Sequence, residues 1–173
     1  GFRCARALAY SHERNILHRD IKPGNIMLGN DGDVKIMDFS IAEFMQGSDI
    51  STQSVVGSPA YMAPEQIHRS NIGPRADLYG LGAVLYHLLA GEPPFMAQKM
   101  KLLFEMVQYV PAPALDMVRP DLPSELCDLV NQLLEKEPER RPATGDRQPR
   151  VSCSAICTAA SRSSSGLGAH ATE

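Results

Sequence analysis

The sequence has no excess of positive charge: 17 Lys and Arg stand against 20 Asp and Glu, a formal net charge of −3. Proteins that grip phosphate backbones carry a basic footprint, so nucleic acid is not expected as the main partner. No apolar run reaches the ~18 residues that a membrane-spanning helix needs. Cysteine is sparse as well. Cys4, Cys127, Cys153 and Cys157 are too few and too scattered to staple a secreted scaffold, which points to a reducing compartment. The first residues do not read as a signal peptide. Lysine is missing altogether after Lys136.

What remains is an ordinary globular mixture, 43% hydrophobic over 173 residues, sufficient for one domain with a core. The composition changes sharply near Ala143. Residues 1–144 alternate apolar segments with turn signals. Residues 145–173 hold only Val151, Ile156 and Leu167 as large aliphatics among Ser, Ala, Gly and Arg. Such a segment buries too little apolar surface to offset its ordering entropy, so disorder is expected there. Its abrupt onset reads either as a natural low-complexity linker or as out-of-frame translation of a GC-rich gene. The Cys153 and Cys157 spacing has no partnered Cys or His nearby and is not read as a metal site.

Periodicity predicts a first helix over Phe2–Glu13, with Phe2, Ala5, Leu8, Ala9 and His12 on one face and Asn15 in a left-handed cap. Ile26–Leu28 and Val34–Met37 are short strand-like runs. Gly29-Asn30-Asp31-Gly32 between them is a turn signal, so the pair reads as a β-hairpin. From Ala76 to Ala90 the pattern is apolar on most of its circumference, which describes a helix buried nearly all round and stopped by Gly91. Two more helices are expected, over Ala97–Gln108 and Ser124–Glu135, the latter capped by Ser124. The fold class is therefore α+β, mainly helical with one small hairpin.

Chemistry concentrates in the loop His18-Arg19-Asp20-Ile21-Lys22-Pro23-Gly24-Asn25. Asp38 follows thirteen residues after Asn25, at the far end of the hairpin. A hairpin brings its outer ends together, so Asn25 and Asp38 should lie side by side with oxygens converging. Paired hard-oxygen ligands suit Mg2+, whose shell is completed by phosphates and water. Asp20, a few residues away, is placed to accept a proton from a hydroxyl nucleophile. Lys22 can neutralise charge on a transferring phosphoryl group.

These residues carry a resemblance. HRDIKPGN, then Asp38-Phe39-Ser40, then Ala63-Pro64-Glu65 resemble the catalytic loop, metal motif and APE motif of protein kinases, in order and at the right separations. LHRDIKPGNIML, VKIMDFSIA, GSPAYMAPEQ, DLYGLGAVLYHLLAGEPPF and KEPERRPAT are most similar to bacterial Ser/Thr kinases of the eukaryotic-like (Hanks) type. The resemblance covers residues 1 to about 144. It implies an ATP- and Mg2+-dependent transfer of the γ-phosphate to Ser/Thr hydroxyls of protein substrates.

Carried over residue by residue, it makes Asp20 the catalytic base and sets Lys22 against the γ-phosphate. Asn25 and Asp38 become metal ligands, and Met27, Lys22, Asn25 and Asp38 the cofactor-binding set. His18 and Phe39 would form the stack that aligns the loop, and Asp77 would anchor its backbone. Ser58 stands at the Ser/Thr-specificity position. Glu65 should pair with Arg141. Arg19 resembles the basic residue of kinases switched on by activation-loop phosphorylation, with Ser51, Thr52 and Ser54 as candidate phosphosites.

Three departures accompany the resemblance. Ser40 replaces the Gly of the metal motif, and only Gly reaches some backbone angles freely. Nothing matches the Gly-rich loop, the strand Lys or its Glu partner, and only 17 residues precede His18. The expectation is a C-terminal lobe whose N-terminal lobe is absent, inactive alone, and left with an exposed apolar patch where that lobe would pack. The third departure is the tail at 145–173. A binding module of pseudokinase type, docking protein partners without catalysis, is the alternative reading. A cytoplasmic location is expected, in a parent that a membrane anchor elsewhere would not contradict.

Overall fold

The computed structural model describes residues 2–29, 31–39 and 59–143. Helix α1 spans Phe2–His12 and is followed by a hairpin of β1 (Ile26–Leu28) and β2 (Val34–Ile36). Then come α2 (Pro64–His68), α3 (Pro74–Ala90), α4 (Met100–Tyr109), α5 (Leu115–Val118) and α6 (Ser124–Leu133), with short 3-10 turns at Pro23–Asn25, Pro59–Tyr61 and Pro138–Arg140. The described residues are mainly helical with one two-stranded antiparallel sheet, Ile26 opposite Ile36 and Leu28 opposite Val34. Among them no helix is long and apolar enough to cross a membrane.

Helix α3 is the centre of the core. Pro74 supplies a first-turn residue whose missing N–H would have no intrahelical partner anyway. Twelve of its residues are buried, on every side of the helix, so a continuous apolar circumference is what the position requires. It ends at Gly91, whose φ of 90° is open to glycine, and whose N–H donates to the His87 carbonyl at 2.9 Å. Helix α6 packs so closely on α3 that a methyl group at Gly82 would lie 2.6 Å from Leu133 Cβ. A methyl at Gly80 would lie 2.9 Å from Ile21 Cβ, so α3 also presses directly against the polar loop.

The structure differs from the sequence reading at several element boundaries. In α1 the buried stripe is Cys4, Leu8, Ser11 and His12, rotated from the expected Ala5 and Ala9 face, because Ser11 turns its hydroxyl back to the Leu8 carbonyl and can be buried. Asn15 does adopt the left-handed conformation, with φ 57°. Ser124 is not a cap. Pro123 occupies that position, no side chain caps the helix, and the Ser124 hydroxyl turns to Glu125 instead. Helices α2 and α5 are too short for a periodic signal. The start of α5 is held by Asn131 of α6, whose Oδ1 accepts the Leu115 N–H at 3.0 Å.

Lys136 closes α4. Its Nζ donates to the Val107 carbonyl at 2.5 Å and the Met106 carbonyl at 3.3 Å, and lies 4.1 Å from the Phe95 ring centroid. Burial, reinforced by Arg141, lowers its pKa to about 8. The folded protein therefore sheds this proton before the unfolded chain does, and between about pH 8 and pH 10.5 the unfolded state binds more protons. Stability from Lys136 should accordingly rise with pH across that window. In urea unfolding, the wild type should gain on Lys136→Met as pH increases from 8 to 10.5; a pH-independent difference would contradict the assignment.

Candidate functional site

The polar loop from His18 to Asn25 lies between α1, the hairpin and the N-terminal turn of α3, and its backbone is held by one buried carboxylate. Asp77 Oδ1 accepts the Arg19 N–H at 2.7 Å; Oδ2 accepts the His18 N–H at 2.9 Å and lies 2.8 Å from His12 Nε2. A carboxylate only accepts, so the imidazole donates. Asp77 also sits in the first turn of α3, where the helix dipole favours negative charge. Three donors and a helix N-terminus make a 2%-exposed carboxylate tolerable. Hydrogen bonds to a charged group contribute about 1.5–3 kcal/mol each.

Arg19 takes a φ of 64°, which costs a non-glycine residue of order 1–3 kcal/mol and persists only where its surroundings determine it. Here they do so at both ends: Asp77 holds its N–H, and Gln66 Nε2 donates to its carbonyl at 2.8 Å. His18, fully buried, uses both ring nitrogens. Nε2 donates to the Met37 carbonyl at 2.8 Å, and Nδ1 accepts the Asp20 N–H at 3.3 Å, which fixes the tautomer. Asp38 then turns the chain with φ 53°, and the Phe39 ring meets the His18 ring edge-on at 4.7 Å.

The side chains after Arg19 converge. Lys22 Nζ lies 2.6 Å from Asp20 Oδ2. Asn25 Nδ2 donates to the Asp20 carbonyl at 2.8 Å and to Asp20 Oδ2 at 3.1 Å. Both donors act on Oδ2, which leaves Oδ1 as the carboxylate oxygen free of them. Asn25 is buried, and its carbonyl accepts the Met37 N–H at 2.8 Å, extending the hairpin by one pairing and setting Asn25 beside the Met37–Asp38 step. Asp38 is exposed, as is half of Met27 on β1.

Glu65 and Arg141 form the pair that the sequence led us to expect, at 2.6 and 2.9 Å, with both residues buried. Arg141 further donates to the carbonyls of Arg75, Glu135 and Lys136, so its guanidinium ties α2, the start of α3 and the chain after α6 together. Ser40, Ser51, Thr52, Ser54 and Ser58 lie outside the described residues. Two contributors escaped the sequence reading. His12 meets Asp77, and Gln66 reaches the loop backbone; periodicity places His12 on the buried face of α1 but names no partner for it.

A family model described as the protein kinase domain matches residues 3–149. The chain belongs to the protein kinase family. Its relatives in that family include the DNA damage-responsive serine/threonine-protein kinase RqkA of Deinococcus radiodurans, 38% identical over 143 residues, which cover 82% of this chain and 21% of the relative. Another is the serine/threonine-protein kinase PknB of Mycolicibacterium smegmatis, 38% identical over 140 residues, covering 79% of this chain and 22% of the relative. PknB of Mycobacterium tuberculosis is 39% identical over a stretch of the same length. The chain thus spans about a fifth of the length of these curated kinase relatives.

Removing one member of a buried ion pair leaves an uncompensated charge, at about 3–5 kcal/mol, whereas an exposed pair is worth about 1 kcal/mol or less. Glu65→Ala should therefore destabilise the domain several-fold more than Asp33→Ala, which breaks only the exposed pair with Arg3. Equal shifts in urea unfolding would contradict the structural role given to Glu65.

Proposed function

We propose that residues 1–144 form the C-terminal lobe of a Ser/Thr protein kinase that moves the γ-phosphate of ATP to hydroxyls of protein substrates. The observation that carries the reading is the Asp20 carboxylate, on a backbone pinned by Asp77, with Lys22 and Asn25 both drawn to its Oδ2. That leaves Oδ1 to accept the proton of a substrate Ser or Thr as its oxygen attacks phosphorus. Lys22, 2.6 Å from Asp20 Oδ2, would balance charge on the transferring group.

The donor set fits Mg2+. Asn25 turns its nitrogen to Asp20, so its Oδ1 is the end left for a cation, and Asp38, the residue after the Met37 that pairs with Asn25, would add an exposed carboxylate. Both are hard oxygen donors of the kind this ion prefers. When bound, Mg2+ would offset the negative charge of the nucleotide phosphates. Met27, Leu28 and Phe39 present exposed apolar surface along the hairpin, and we assign that surface to the nucleotide and to the N-terminal lobe of the parent. Arg19 remains the residue for a phosphate on Ser51, Thr52 or Ser54, and Ser58 the residue at the Ser/Thr-specificity position. An ATP-using enzyme with buried free thiols at Cys4 and Cys127 belongs in a reducing, cytoplasmic setting.

The test uses radiolabelled ATP with Mg2+. This polypeptide alone should incorporate no phosphate, whereas the longer product of the same gene should label Ser and Thr residues of a protein substrate. Asp20→Asn in that longer product should cut the rate on the order of 10²–10⁴-fold, the share a positioned base supplies. Undiminished transfer by Asp20→Asn would overturn the role of Asp20. A longer product that binds partners but transfers nothing would favour a docking module.

A further inference from the structure

Gln66 follows Glu65 in α2, and its side-chain amide touches two backbone segments at once. Oε1 accepts the Ala63 N–H at 2.9 Å, and Nε2 donates to the Arg19 carbonyl at 2.8 Å. An N–H only donates and a carbonyl only accepts, so the two contacts together fix which way the amide points. Glutamine is the residue this bridge requires: glutamate would present an oxygen to the Arg19 carbonyl, and leucine would serve neither contact.

The two ends of the bridge differ in kind. The Ala63 end is firmly based. Glu65 is locked to Arg141, and Tyr61, just upstream, shares a hydrogen bond of 2.7 Å with His87 on α3. The Arg19 end carries the left-handed φ of 64°, and the peptide unit that Gln66 holds is the one joining Arg19 to Asp20. Rotation of that unit would swing the Asp20 side chain.

We propose that Gln66 is a positioning residue, whose amide transmits the placement of the chain entering α2 to the Arg19–Asp20 peptide and so to the Asp20 carboxylate. What that carboxylate does rests on the kinase reading; the coupling itself does not. A segment displaced upstream of α2 would draw Gln66 off the Arg19 carbonyl and loosen the strained peptide, leaving it to the Asp77 contact with the Arg19 N–H and the longer His18 contact with the Asp20 N–H.

Two variants separate this bridge from simple capping of α2. Gln66→Glu keeps an oxygen for the Ala63 N–H and removes the donor to Arg19; Gln66→Leu removes both. Gln66 is only half-buried, so neither change leaves a large cavity. Amide hydrogen exchange and 13Cα and 13Cβ shifts are read on the full chain by NMR. Both variants should speed exchange at Asp20 about fivefold, the equivalent of one lost hydrogen bond, and move the Arg19 shifts out of the left-handed range. Exchange at Ala63 should rise in Gln66→Leu alone. Wild-type Arg19 shifts and Asp20 exchange in Gln66→Glu would overturn the proposal and leave Gln66 as a helix cap. Neither readout depends on phosphotransfer, so its failure and the failure of the kinase reading are told apart.

Discussion

The carboxylate of Asp77 is the interaction on which the site depends. It is a charge inside the apolar centre of the domain, and a lone buried carboxylate would be intolerable there. Three N–H donors and the positive end of α3 make it stable. The donors are not interchangeable. Two are backbone amides of the polar loop, so satisfying Asp77 and shaping that loop are the same event. The strained φ of Arg19 lies between two fastened ends, its N–H on Asp77 and its carbonyl on Gln66.

Helix α3 serves as the frame for more than this contact. Gly80 admits Ile21 of the loop, His87 meets Tyr61, and the Arg75 carbonyl receives Arg141. A helix buried on nearly all sides has little freedom to shift, since a packed core resists small displacements. Asp20, Lys22 and Asn25 are thus borne by a loop fastened to a helix that is buried nearly all round. The exposed hairpin, by contrast, carries Met27 and Asp38 on its open side.

Much of this was legible in the sequence, for identifiable reasons. The hairpin followed from the Gly29–Gly32 turn, α3 from its unbroken apolar circumference, and the Glu65–Arg141 pair from the kinase resemblance. What escaped was set by tertiary contact. The α1 stripe rotated because Ser11 satisfies its own hydroxyl and can be buried. Ser124 lost the capping role because Pro123, with its fixed backbone, took the preceding position. Helix α5 is tied at its start to a side chain of α6, sixteen residues away in sequence, a contact that no local pattern reveals. The partner of His12 is hidden in the sequence, since Asp77 lies 65 residues on.

The claim that one carboxylate shapes the loop is tested most directly by Asp77→Asn, read by amide hydrogen exchange residue by residue. Asparagine keeps the size of the side chain and replaces one acceptor oxygen with a donor. Protection at His18 and Arg19 should fall by at least about tenfold, as expected for a lost charge-assisted bond, while the amides of α3 and α6 stay protected. Unchanged protection at those two amides would contradict it.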